Sequence, residues 1–235
     1  VNERQQETKT DVSVTTSLEL GKFFPDKAKV SAPLYYSVTK SESRPKYNPL
    51  DTDMELKDAL EGAANRQERD SIESIAVTKR LTTNFSLSNV RVGIQTTSHP
   101  MPYDPANFSF SYSHSHSHTT GETTVYENED NWRGAVNYTW TPVYKTWEPF
   151  RKVIKGKSRW FDILKNFGLN WLPQNITFNT EMVRNYYELQ ERDMEATVNN
   201  MLPLTFNSQF LWNRDFSLRW DLTRNLHMNF QSATH

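Results

Sequence analysis

Apolar residues fall at every second position along much of the chain. The longest such stretch is Phe206, Phe210, Trp212, Phe216, Leu218, Trp220 and Leu222, with Asn207, Gln209, Asn213, Asp215, Arg219 and Asp221 between them. Period two marks a β-strand with one apolar and one polar face. At about 3.3 Å per residue an unbroken phase here would span roughly 55 Å, well beyond the usual globular strand. Arg214 falls in the apolar phase, so two shorter strands joined at Asn213-Arg214-Asp215 are the alternative. The chain next meets the turn residues Thr223-Arg224-Asn225, and Leu226, Met228 and Phe230 alternate back, which predicts a hairpin.

The same arrangement recurs upstream. Val12, Val14, Leu18 and Leu20 lead through Phe23-Phe24 to a turn at Pro25-Asp26-Lys27, and Val30, Leu34, Tyr36 and Val38 return. Phe167, Leu169 and Trp171 lead to Pro173-Gln174-Asn175, with Ile176, Phe178, Thr180 and Met182 beyond. Further strands are predicted at Arg80 to Val90, Asn107 to Thr119 and Trp132 to Trp140, for about nine in all. Three long connections separate them. Residues 41–79 carry Asp51-Thr52-Asp53 as an N-cap region and then a helical pattern through Met54, Leu56, Leu60, Ala64, Ile72, Ile75 and Ala76. Residues 146–165 suit a short amphipathic helix with Trp160, Phe161, Ile163 and Leu164, and residues 188–203 are polar. Short turns on one side and long connections on the other is the pattern of outer-membrane barrels, and antiparallel sandwiches share much of it.

Composition narrows this. Only 36% of the 235 residues are hydrophobic and the longest apolar run is three, so no helix of this chain can span a bilayer. Strand spans, apolar only at alternate positions, pass that test. Thirteen per cent aromatics argues against a disordered chain. The net charge of −1 gives no field for nucleic acid, and the absence of cysteine excludes disulfides, thiol catalysis and cysteine-held metals. No basic and apolar leader precedes Val1, so any export signal is expected to have been removed or to lie upstream.

Candidate chemistry is sparse. His114, His116 and His118 alternate with serines, so on a strand their side chains share one face. They could ligate zinc, copper or nickel or report pH, but the spacing does not converge on one ion and no carboxylate is close in sequence. The simpler reading is the apolar face of Phe108, Phe110 and Tyr112 emerging into water or headgroups. Asp51, Asp53 and Glu55 lack the glycine of a calcium loop. Basic residues around Pro149-Phe150 fit a solvated loop, and no phosphate loop, nucleophile elbow or HExxH sequence occurs.

Several segments taken in order carry a family resemblance: Val1-Asn2-Glu3-Arg4, Leu20-Gly21-Lys22-Phe23-Phe24-Pro25-Asp26-Lys27, Pro45-Lys46-Tyr47-Asn48-Pro49, Tyr103-Asp104-Pro105-Ala106-Asn107-Phe108-Ser109-Phe110-Ser111-Tyr112, Glu148-Pro149-Phe150, Leu172-Pro173-Gln174-Asn175-Ile176, and Asn185 to Arg192. Together they resemble the C-terminal part of the SprA/Sov family over the whole chain. The resemblance implies the outer-membrane translocon of the type IX secretion system of Bacteroidetes-type bacteria, linked to gliding motility: a very large single-chain barrel that passes folded cargo bearing a C-terminal sorting domain. It implies a PorV-like shuttle, a periplasmic plug and outer-membrane lipid as partners, and neither enzymatic activity nor a cofactor.

The expected fold is therefore all-β: antiparallel strands forming one sector, residues 1–235, of a very large transmembrane barrel, with helical insertions in long loops. Its open edges would be intolerable in lipid alone, so a longer parent polypeptide is expected. Phe206, Phe210, Trp220 and Leu222 are expected to face lipid, and Asn207, Gln209, Arg219 and Asp221 a hydrated lumen. The competing expectations are a soluble surface β-domain that binds glycan or protein, and a hydrolase or metal enzyme built on the histidines.

Overall fold

A computed structural model describes residues 6–151, 167–195 and 201–235. The elements are β1 (Glu7–Glu19), β2 (Val30–Ser31), β3 (Pro33–Pro45), β4 (Tyr47–Asn48), β5 (Asp51–Glu55), α1 (Leu56–Glu61), α2 (Arg66–Ala76), β6 (Thr78–Val92), β7 (Phe108–Thr120), β8 (Thr124–Trp140), β9 (Asn175–Glu191), β10 (Thr205–Asp221) and β11 (His227–Thr234). Eight long strands form an antiparallel meander in the order β1-β3-β6-β7-β8-β9-β10-β11, and β2, paired to β6, makes the sheet nine-stranded. Each strand lies beside its nearest long neighbours in sequence, the arrangement that hairpin-type connections favour. The sheet is open: β1 forms one edge and β11 the other.

β10 is one continuous strand of 17 residues, without a break at Asn213-Arg214-Asp215. The backbone there is paired on one side to β9, and β11 joins on the other from Arg214 onward. Leu222 lies one residue beyond the strand. β8 and β9 are also 17 residues each and longer than alternation indicated. β9 absorbs Glu188 to Glu191, which had been read as the start of a polar connection.

Three expectations are corrected. Phe167 to Trp171 is no strand of the sheet; Leu169 makes only single bridges to Trp147 and Thr223, and β9 pairs with β8 and β10. Connections do not sort by length: the long β8–β9 connection leaves and returns at the same end as the short turn 222–226, whereas residues 46–77 and the short turn 121–123 lie at the other end. Asp51-Thr52-Asp53 is part of β5 instead of a helix cap. The helices are real but start later, and α2 is capped by Asn65, whose side chain accepts from the Glu68 N–H while Glu68 Oε2 accepts from the Ala64 N–H. The amphipathic helix expected around Trp160 lies outside the described residues.

One small apolar cluster is buried: Leu56, Ala76 and Val77, with Leu60 and Ile72 against it. It belongs to the helical excursion between β3 and β6, because α1 packs on α2 and on the β4–β5 hairpin. The sheet itself has one layer, and among the described residues no helix is packed across either of its faces. In β6 the register shifts between Leu87 and Val90, where Ser88 and Asn89 together oppose Ser111, and Asn89 has a φ of 53°. This is a β-bulge with its left-handed position filled by asparagine, which tolerates that region better than most residues.

Candidate functional site

Directly opposed residues of an antiparallel pair lie on the same face, so the registers extend each strand's alternation across the sheet. From Leu218 the pairing runs to Ile176 and Trp140; from Phe216 to Phe178, Tyr138 and Phe108. From Tyr112 it runs to Leu87, Leu34 and Leu18. Eight strands thereby place their apolar positions on one face, where Val12, Val14, Leu18, Tyr36, Phe108, Phe110, Phe178, Met182 and Phe230 are all exposed. Phe206 and Phe210, at 68% and 60% exposure, are among the barest. Trp220 is half-buried on the same face, as is Leu222 just after it.

The opposite face is hydroxyl-rich and polar. β7 gives it Ser109, Ser111, Ser113, Ser115 and Ser117; β10 gives Asn207, Gln209, Asp215, Arg219 and Asp221. The side chains satisfy one another: Ser115 Oγ donates to Asn84 Oδ1 (2.8 Å), Asn84 Nδ2 to Ser37 Oγ (3.2 Å) and Arg80 Nε to Ser117 Oγ (3.1 Å). Arg133 pairs across the strands with Glu181. This face carries a local depression of about 430 Å³ bordered by Ser86, Ser113, Arg133, Asn137, Glu181 and Asp215. Tyr35, Val183, Tyr187, Leu189 and Leu211 are among its apolar exceptions.

Asn207, Gln209 and Arg219 are exposed on this face, whereas Asp221 is only 8% exposed. It lies under the segment 167–174, where Gln174 Nε2 donates to its carboxylate, Asn170 Nδ2 to its backbone carbonyl (2.6 Å), and His227 Nδ1 stands 2.8 Å from Oδ1. Asp221 thus fastens a connection to the β10–β11 hairpin and does not line open space.

The histidines share a face, as alternation requires, and the structure supplies a carboxylate invisible in sequence. Asp130 Oδ1 stands 2.7 Å from His116 Nδ1 and 3.2 Å from His114 Nε2, because Asp130 is the cross-strand partner of His116. His118 Nδ1 meets Asn128 instead (2.6 Å), and His114 stacks on Trp132 with the rings 9° from parallel. Among the described residues no group of three or more metal-ligating side chains converges. The cluster marks where the apolar face turns polar, toward the end carrying residues 121–123. Arg184 and Arg214, also on this face, lie over the Trp132 and Trp212 rings at 5.5 and 4.3 Å.

At the other end the apolar face finishes in aromatic residues whose polar atoms reach loop carbonyls. Tyr138 Oη donates to Pro102 O (2.8 Å), Trp140 Nε1 to Pro100 O (3.0 Å) and Trp220 Nε1 to Asn170 O (3.0 Å). The connection 93–107 that receives the first two is organised by buried Asp104. The Thr96 hydroxyl, with the N–H groups of Met101 (2.8 Å) and Thr96 (3.0 Å), donates to this carboxylate and holds its pKa below the ordinary aspartate value. Glu148 is held low chiefly by Arg151, and Arg224 of the β10–β11 turn binds it too.

Residues 1–60 match the family model SprA_N, described as motility related/secretion protein. No curated protein matches the chain. The match supports a motility and secretion relationship for the N-terminal quarter, which contains β1, β3 and the start of the helical excursion.

Proposed function

We propose that the chain is a sector of the wall of a transmembrane β-barrel in a bacterial outer membrane, within the translocon that secretes folded proteins and supports gliding motility. One observation carries this reading: a sheet whose apolar face continues over eight strands with no second layer on it among the described residues. A water-exposed face of that extent is costly, and a lipid bilayer would solvate it while the serine- and asparagine-rich face meets water. The secretion relationship of residues 1–60 supports the same reading, as does the aromatic termination at Tyr138, Trp140 and Trp220, which resembles the interfacial girdles of such barrels. The remaining strands of the barrel would come from the parent chain, covering the edges at β1 and β11.

In this reading cargo with a C-terminal sorting domain passes along the polar face, whose self-satisfied hydroxyls offer few apolar patches to retain it. A PorV-like shuttle and a periplasmic plug are the partners that the family resemblance adds. The rival, a soluble surface domain binding glycan or protein, needs a cover over the apolar face and has none among the described residues. Val136→Arg, midway along the apolar face between the rows of Trp140 and Trp132, is expected to impair assembly in the membrane by about 2–4 kcal/mol, and Arg219→Ala on the polar face to be mild. Folding yield of the full-length protein in bilayers measures both, and equal tolerance would overturn the facing.

A further inference from the structure

The connection between β1 and β3 displays apolar side chains outside the sheet. Phe23 is 81% exposed and Phe24 52%, on a 3₁₀ turn at Leu20–Phe23. The backbone that presents them is fixed. Glu19 Oε1 accepts from the N–H groups of Gly21 (3.1 Å) and Ala32 (2.6 Å), and a Cβ at Gly21 would meet the Val30 carbonyl oxygen at 2.1 Å, so only glycine fits. Lys29, with φ 45°, closes the second turn, and its carbonyl accepts from the Gly93 N–H (3.0 Å). A pre-formed turn holding two bare phenylalanines pays little ordering entropy on contact with another phase.

Two features identify that phase. The apolar face reaches this turn without a polar row between, because Leu18, Leu34 and Leu87 are paired across the last turns of β1, β3 and β6. The turn itself is cationic: Lys22, Lys27 and Lys29 are all exposed against the single acid Asp26. By contrast, the connection 93–107 at the same end has no lysine or arginine. Aromatic residues at the edge of an apolar band with lysines just beyond are what a membrane–water boundary with anionic headgroups recognises. Trp140, Tyr138 and Trp220 end the face at this same end of the strands.

We infer that residues 20–29 are an interfacial anchor: Phe23 and Phe24 seat among the headgroups and upper acyl carbons of an anionic lipid layer, and Lys22, Lys27 and Lys29 contact its phosphates. This rests on the reading of the apolar face as lipid-facing.

The test uses the full-length protein in bilayers of phosphatidylcholine with or without phosphatidylglycerol. An environment-sensitive dye is placed at Phe23→Cys and, separately, at Val136→Cys in the middle of the apolar face; the 235 residues contain no cysteine, so no other position in them takes the label. The anchor predicts blue-shifted emission at position 23, quenching by headgroup- or shallow-chain-labelled lipid and protection from iodide. It predicts that Lys22→Glu, Lys27→Glu and Lys29→Glu together abolish the dependence on phosphatidylglycerol. Iodide quenching without lipid quenching overturns it, as does protection from both, which would mean a protein partner on the turn. A Val136 label quenched by deep-chain lipid beside an unquenched position 23 sinks the anchor alone. Two labels blind to lipid sink the wall sector with it.

Discussion

Asp104 shows how one side chain fixes a connection. Its carboxylate takes three donors while fully buried, so the anion is favoured and its pKa falls. The sign follows from linkage: a depressed folded-state pKa contributes stability that is complete above the ordinary value of 3.8 and is lost as pH falls through the folded value. Hydrogen exchange at the Thr96 and Met101 amides, taken relative to the intrinsic rate at each pH, is therefore expected to stay strongly retarded at neutral pH and to lose that protection in acid. Asp104→Asn, whose amide turns a donor toward a donor, should accelerate exchange already at neutral pH. Because the Pro100 and Pro102 carbonyls receive Trp140 and Tyr138, the same variant should loosen the aromatic edge of the apolar face.

Among the elements, the helical excursion and the sheet draw on different sources of stability. The excursion has a buried cluster of its own, so Leu56→Ala is expected to destabilise it by about 2–5 kcal/mol. Limited proteolysis should then cut within residues 46–77 while the strands stay protected. The strands owe little to burial, and this governs what was legible in the sequence. β10 and β1 could be read because their alternation is clean, with Val12, Val14 and Leu18 against serines and threonines. The first half of β8 could not, since Glu127, Asn128, Glu129 and Asp130 are polar on both faces and leave no period to detect. Phe167, Leu169 and Trp171 misled for the opposite reason: they alternate, but their backbone finds only isolated bridges. Pairing is a property of two segments, and alternation reports only one. The same limit hid Asp130 from the histidines and left the burial of Asp221 unforeseen, for each depends on a neighbour distant in sequence.

For the whole molecule, the shared phase of eight strands is the defining property, and it can be measured directly. Single cysteines at Tyr112, Val136, Phe178 and Leu218 are expected to react with a lipid-soluble maleimide, and those at Ser113, Asn137, Asn179 and Arg219 with a charged one, in the full-length protein in membranes. A mixed pattern would break the two-face description. The bulge at Ser88-Asn89 gives this phase a further meaning. In β6 odd positions carry the apolar face up to Leu87, whereas beyond the bulge even positions do, so that Val90 opposes Phe110 and Arg91 opposes Ser109. Asn89 thus behaves like a punctuation mark in a reading frame. Straightening the strand with Asn89 retained would keep the sequence intact yet transpose Val90 and Val92 to the wet side and Arg91 to the oily one. Excising either Ser88 or Asn89 should remove the bulge and still keep the sense of the line, since the residue left would alone oppose Ser111.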